Sequence, residues 1–127
     1  MTRDMELIRK IVSEIQSWKS PVFKELKIEG YEPNVLGRHV EMLIDAGYVD
    51  GKVHHGSMGT ALTPFVTDLT WQGHDLAAAL QNEGVWANLK QSLSPSELAT
   101  MPISIIKDLG MSLLIAYFIQ KTGTGES

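Results

Sequence analysis

Between residues 109 and 119 almost every side chain is apolar: Leu-Gly-Met-Ser-Leu-Leu-Ile-Ala-Tyr-Phe-Ile. With Pro102 ahead of it and Gln120-Lys121 behind, this stretch predicts a helix over 103–120. A helix that is apolar all round must be sheltered all round. A bilayer span takes about 20 apolar residues. Lys107 and Asp108 interrupt one end of the run and Gln120 and Lys121 the other, so no membrane contact is expected. Fully burying a Leu, Ile or Phe contributes roughly 1.5–3 kcal/mol, so leaving Leu113, Leu114, Ile115, Tyr117, Phe118 and Ile119 wet would forfeit on the order of 10 kcal/mol. One small domain offers a single groove and covers one face. The expectation is a homodimer with Ile106, Leu109, Leu113, Leu114, Tyr117 and Phe118 in its interface; the alternative is a helix swallowed by its own domain.

At 127 residues the chain is long enough for a single core and short for two of ordinary size. It holds no cysteine, which excludes disulfides, thiolate metal sites and a cysteine nucleophile. The start, MTRDMELIRK, is charged and helical in pattern rather than a secretory signal, and a cytoplasmic location is the simplest expectation. The formal net charge is −4, whereas proteins that grip nucleic acid usually carry a basic excess.

Ahead of the apolar run the periodicities alternate. Leu7, Ile8, Ile11, Val12, Ile15 and Trp18 recur at helical spacing, predicting a helix over 3–19 with Thr2 as its cap and Ser20-Pro21 as its stop. Residues 22–28 suggest a short strand or an irregular extended segment. Pro33 suits the first turn of a helix over 33–46 that buries Leu36, Val40 and Leu43, with His39 at its edge and Gly47 in left-handed geometry after it. Two strands follow, one through Tyr48, Val49, Lys52 and Val53 and one running from Leu62 through residues 65–71, around a loop with Gly56 and Gly59; together they predict a hairpin. Thr70 caps a helix over 71–81 with Leu76, Ala79 and Leu80 inward. Asn82 or Gly84 breaks it, and Val85, Trp86, Leu89 and Leu93 form a further helical turn or two. Ser94-Pro95-Ser96-Glu97 is a capping box. The expected divisions are 1–93, a C-terminal helical segment 94–121, and a frayed tail 122–127.

Helix, extended segment, helix, hairpin, helix is the order of a winged-helix domain. Residues 37–49, GRHVEMLIDAGYV, resemble the recognition helix of ArsR- and MarR-type repressors, with Arg38-His39-Val40, Leu43 and Ala46-Gly47-Tyr48-Val49 in the corresponding places. Leu69-Thr70 and Gly73 resemble their step from wing strand to next helix. Over nearly the whole chain, MTRDMELIRKI and LTWQGHDLAAAL with Val85-Trp86 resemble a bacterial and prophage family of unknown function, whose members open M-x-R-D-M-x-L-I-R-K and carry L-T-W-x-G-H-D-F. That resemblance implies an α+β, mostly helical, winged helix-turn-helix-like fold with a small hairpin wing and extra C-terminal helices. It also implies frequent residence on mobile elements, and it carries no activity with it.

A helix lying in the major groove needs side chains that reach base edges or phosphates. Asn34, Arg38 and Met42 are the candidates by spacing, Arg38 foremost because its fork pairs with guanine or phosphate. Lys52, His54, His55 and Ser57 could add wing contacts, and Lys19, Lys24 and Lys27 contacts to the backbone. Against this, residues 31–60 hold Arg38 and Lys52 against Glu32, Glu41, Asp45 and Asp50, and Glu41 would repel a phosphate. His54-His55 point to opposite sides of a strand and do not chelate one ion, so no metal site is expected. His74 and Asp75 diverge by about 100° on a helix, so His74 is expected to brace the helix start. Trp18, Trp71 and Trp86 fall in phase with apolar neighbours and are expected in the core. No P-loop, dinucleotide fingerprint or HExxH occurs. The expectation is a non-enzymatic protein without cofactors. It is read as a dimeric DNA-binding regulator on double-stranded DNA, or alternatively as a protein–protein adaptor that kept the fold without the groove.

Overall fold

The computed structural model describes residues 1–59 and 61–123. The chain is α+β and mostly helical, and it divides into two compact units, Met1–His74 and Asp75–Ser127. The division falls inside the helix after the hairpin, earlier than the break at 93/94 read from the SPSE signal.

The first unit opens with α1 (Met5–Ser17), whose Met5, Leu7, Ile8, Ile11, Val12 and Ile15 are buried. Its cap is Asp4 and not Thr2: the Asp4 carboxylate accepts the Leu7 N–H at 3.2 Å, satisfying one of the free donors at a helix start. Trp18 corrects a second expectation. It ends the helix in extended geometry, only half-buried, with its indole N–H donating to Glu14 Oε2 at 2.9 Å.

A two-residue strand, β1 (Lys24–Glu25), and a turn at Glu29 and Gly30 lead to α2 (Pro33–Asp45). No helix stands between β1 and α2. Glu32 caps α2 by accepting the N–H groups of Asn34 and Val35. At the far end Gly47 takes φ 83°, with Gly47 N–H on Ile44 O and Tyr48 N–H on Leu43 O. This is the paired hydrogen-bond pattern of a Schellman motif, and it turns Tyr48 and Val49 into the sheet.

There β2 (Val49–His55) and β3 (Leu62–Leu69) form an antiparallel hairpin with a single 3₁₀ turn at Ser57–Gly59, and β1 adds to the far side of β3, giving the sheet order β1-β3-β2. Val49 and Val53 are buried, while Lys52 and His54 are exposed. The register slips between Asp50 and Gly51, where Asp50 pairs with Asp68 but Gly51 with Val66, so Thr67 is the extra residue of a bulge.

Helix α3 (Trp71–Gln81) starts from Thr70, whose hydroxyl accepts the Gly73 N–H and donates to Gly47 O at 2.6 Å. Gly73 lies so tightly on the Tyr48 carbonyl that no Cβ fits. Trp71 overturns the core expectation outright: it is 88% exposed.

In the second unit, Leu76, Ala77, Ala79 and Leu80 of α3 are buried, as are Val85, Trp86 and Leu89 of α4 (Glu83–Ser92). Leu93 is its extended C-cap rather than part of the helix. The capping box of Ser94 and Glu97 opens α5 (Pro95–Thr100). Last comes α6 (Ile103–Thr122), closed by Gly123 at φ 73°. Residues 124–127 of the expected tail lie outside the described residues.

Only Ile106, Gly110 and Leu114, one four-residue stripe, are buried on α6. Gly110 permits the contact, since a Cβ there would stand 3.0 Å from that of Ala79. Ile106 and Leu114 are thus occupied within their own unit, which removes them from the expected interface. The whole helix is also long and apolar enough, by length and composition, to cross a membrane, with mean hydropathy 1.5. The count of 109–119 alone had left out the apolar first turn.

Candidate functional site

The surface proposed from sequence is the outer side of α2 with the hairpin. A bidentate knot joins them. Arg38 Nη1 stands 2.6 Å from Glu41 Oε1, and His55 Nε2 stands 2.9 Å from Glu41 Oε2. Glu41, read from sequence as a repellent charge, is instead the bridge between helix and wing.

Asn34 is likewise engaged, its side-chain oxygen accepting the Leu62 N–H at 2.9 Å. Gly37 completes the seam: a Cβ there would come within 2.6 Å of the Leu62 Cβ. So the side of α2 that carries Asn34, Gly37 and Glu41 leans on the hairpin instead of standing clear of it. What remains exposed along the helix is Pro33, Arg38 and Asp45, with Asn34, Val35, Glu41, Met42 and Ile44 partly so. Two of these groups are acids and one is a paired base.

Lys24 lies over the Trp18 ring, its ammonium 4.3 Å from the centroid. Lys52 shares a cross-sheet row with Phe65 and Glu25, so an acid stands on the same face. Lys19 and Lys27 are exposed on the segments flanking β1, and His54 and Ser57 on the hairpin. No group of three or more His, Asp or Glu able to hold a metal ion occurs among the described residues.

His39, expected at the edge of α2, lies inside it. It is fully buried; its Nδ1 faces Val35 O at 2.8 Å, and its Nε2 accepts the Asp4 N–H at 2.8 Å. That places the proton on Nδ1 and joins the start of α1 to α2. Arg3, next to Asp4 in sequence, is half-buried, and desolvation pulls its guanidinium below the usual arginine pKa. The signal for His39 was present: it neighbours Val40 and lies three residues from Leu36, inside the apolar arc.

A helix seated on a three-stranded sheet, followed by a helical unit, defines a small α+β domain with a two-part build. Residues 2–98 match the family described as "Hypothetical protein (DUF2513)", and the chain belongs to that family. The match takes in the first unit from residue 2 onward and ends before α6. The chain is also similar to an "Uncharacterized protein" of Haemophilus influenzae, at 25% identity over 116 residues covering 90% of this chain and 96% of the relative. No solved structure matches it.

Proposed function

We propose that this protein is a non-enzymatic, cytoplasmic protein-interaction module that self-associates through α6. The observation that carries the reading is the uncovered side of that helix. Ile105, Leu109, Ile115, Tyr117, Phe118 and Ile119 are each 40–53% exposed. At about 200 Å² for a large side chain, that leaves on the order of 600 Å² of apolar surface per subunit. Monomers rarely expose contiguous patches beyond a few hundred Å², whereas a standard interface takes about 800 Å² from each partner. A second copy supplies the same helix in the same register by twofold symmetry, and needs no further partner. A bilayer is the other apolar solvent that fits, but a span over Ile103–Thr122 would strip the Ile106–Leu114 stripe from its own unit and carry Lys107 and Asp108 into hydrocarbon, the charges alone costing several kcal/mol.

Sedimentation velocity tests this. The full chain is expected to run as a dimer at micromolar concentration, and the Ile115→Glu/Phe118→Glu variant as a folded monomer. A wild-type monomer throughout that range overturns the reading. Co-flotation with liposomes in place of dimerisation assigns α6 to a membrane.

A second reading, winged-helix DNA binding, is favoured by the element order, the β1-β3-β2 sheet and the exposure of Arg38 beside a hairpin that shows Lys52, His54 and Ser57. The acidic charge along α2 and the Asn34–Leu62 seam weigh against it. Binding to mixed duplex DNA that weakens as salt rises and is reduced by Arg38→Ala would restore it as the lead.

A further inference from the structure

The LTWQGHD stretch holds a surface that neither reading uses. Trp71, the first residue of α3, projects into solvent and forgoes the stabilisation that burying so large an apolar group brings. It lines an open recess of about 400 Å³ with Asp50, Leu69, Thr70 and His74. All five residues belong to the first unit, away from α6 in sequence.

Asp50 is the one acid that lines this recess. Asp50 stands directly opposite Asp68 in the hairpin, and like charges facing each other across a ladder are destabilising. Asp68 has local occupations: it accepts the Leu69 N–H at 2.7 Å, lies 4.0 Å from His74 Nε2, and offsets the positive end of α3. Asp50 forms no ion pair among the described residues. A helix start explains Asp68. It does not explain an unpaired acid facing it, or an exposed indole in the same recess as that acid.

We propose that the recess around Trp71 receives an arginine side chain of a partner protein, the guanidinium stacked on the indole and hydrogen-bonded to Asp50 and Asp68. The chemistry fits at each point. A guanidinium is flat and weakly hydrated, so it lies on an indole face and keeps its edge N–H groups for carboxylates. Its charge relieves the repulsion between the two aspartates. An open floor with an exposed tryptophan suits an anchor residue projecting from a polypeptide better than an enclosed small molecule. Phosphate-bearing partners are repelled by the same acids. The proposal shares with the reading above only that the ligand is a protein, and it stands whether or not α6 self-associates.

The test is an NMR titration of the full chain that follows the indole N–H resonance of Trp71, assigned from its loss in Trp71→Phe. The probes are a short arginine-rich peptide, its lysine counterpart, and a neutral peptide of the same length. A saturable shift with the arginine peptide is expected, weaker with lysine and absent with the neutral peptide. Asp50→Asn should weaken binding about tenfold while leaving the remaining amide spectrum in place. An absent shift, an equal response to the neutral peptide, or an unchanged affinity in Asp50→Asn overturns the proposal. So does a shift produced by raising the protein concentration alone, which would seat a second copy there. Sedimentation of the same samples reports α6 separately.

Discussion

Replacing His39 probes how the first unit is held. The imidazole is fully buried and its Nε2 is the acceptor for the backbone N–H of Asp4, the residue that caps α1. Leucine preserves most of the volume and removes the acceptor. Its cost is that of leaving a donor without its bond, about 1–3 kcal/mol, reduced by the gain from a more apolar side chain. Alanine removes the ring as well, and by comparison with buried large-to-small changes its total reaches roughly 3–5 kcal/mol. Small domains hold only about 5–15 kcal/mol in all, so His39→Ala takes roughly a fifth or more of the stability. Urea unfolding followed by circular dichroism reads this directly. With a slope of about 1–3 kcal/mol per molar urea, the alanine midpoint falls by more than about 1 M, and the leucine midpoint by less. His39→Leu as stable as wild type would show that the Asp4 bond contributes nothing net. His39→Ala losing under about 1 kcal/mol would refute the buried placement itself.

Two further substitutions follow from the same contacts. Gly73→Ala places a methyl group against the Tyr48 carbonyl, a backbone atom that cannot swing aside, and should cost several kcal/mol by thermal or urea unfolding; a loss no larger than the ~1 kcal/mol typical of point mutants would mean that α3 and the hairpin are set further apart. Asp4→Ala removes a cap and leaves the His39 bond to its own backbone N–H, so about 1 kcal/mol is expected and no more; a loss as large as that of His39→Ala would show that the carboxylate does more than cap α1.

Local signals were legible where one residue and its near neighbours settle the outcome. The α1 periodicity, Pro33 at the start of α2, Gly47 after it, and the Ser94–Glu97 box each involve groups a few residues apart, and each appears in the structure as read. Placement of a whole helix face was not legible, because helical phase says which residues share a side but not which side meets the sheet. Two glycines make that choice in the first unit. Gly37 faces Leu62, so His39, about 200° around the helix, turns inward toward Asp4. Gly73 faces Tyr48, so Trp71, the same rotation away, turns to solvent.

The chain's own pattern therefore determined its helices to within a residue or two of their ends, the hairpin and the apolar excess of the last helix, all set by spacing and backbone preference over short distances. Tertiary packing decided that Arg38 is tied through Glu41 to His55, that Ile106 and Leu114 are taken up within their own unit, and that an indole sharing a recess with Asp50 stays uncovered. Those outcomes depend on close approaches between residues distant in sequence, where a glycine's missing side chain sets how one element rolls against another.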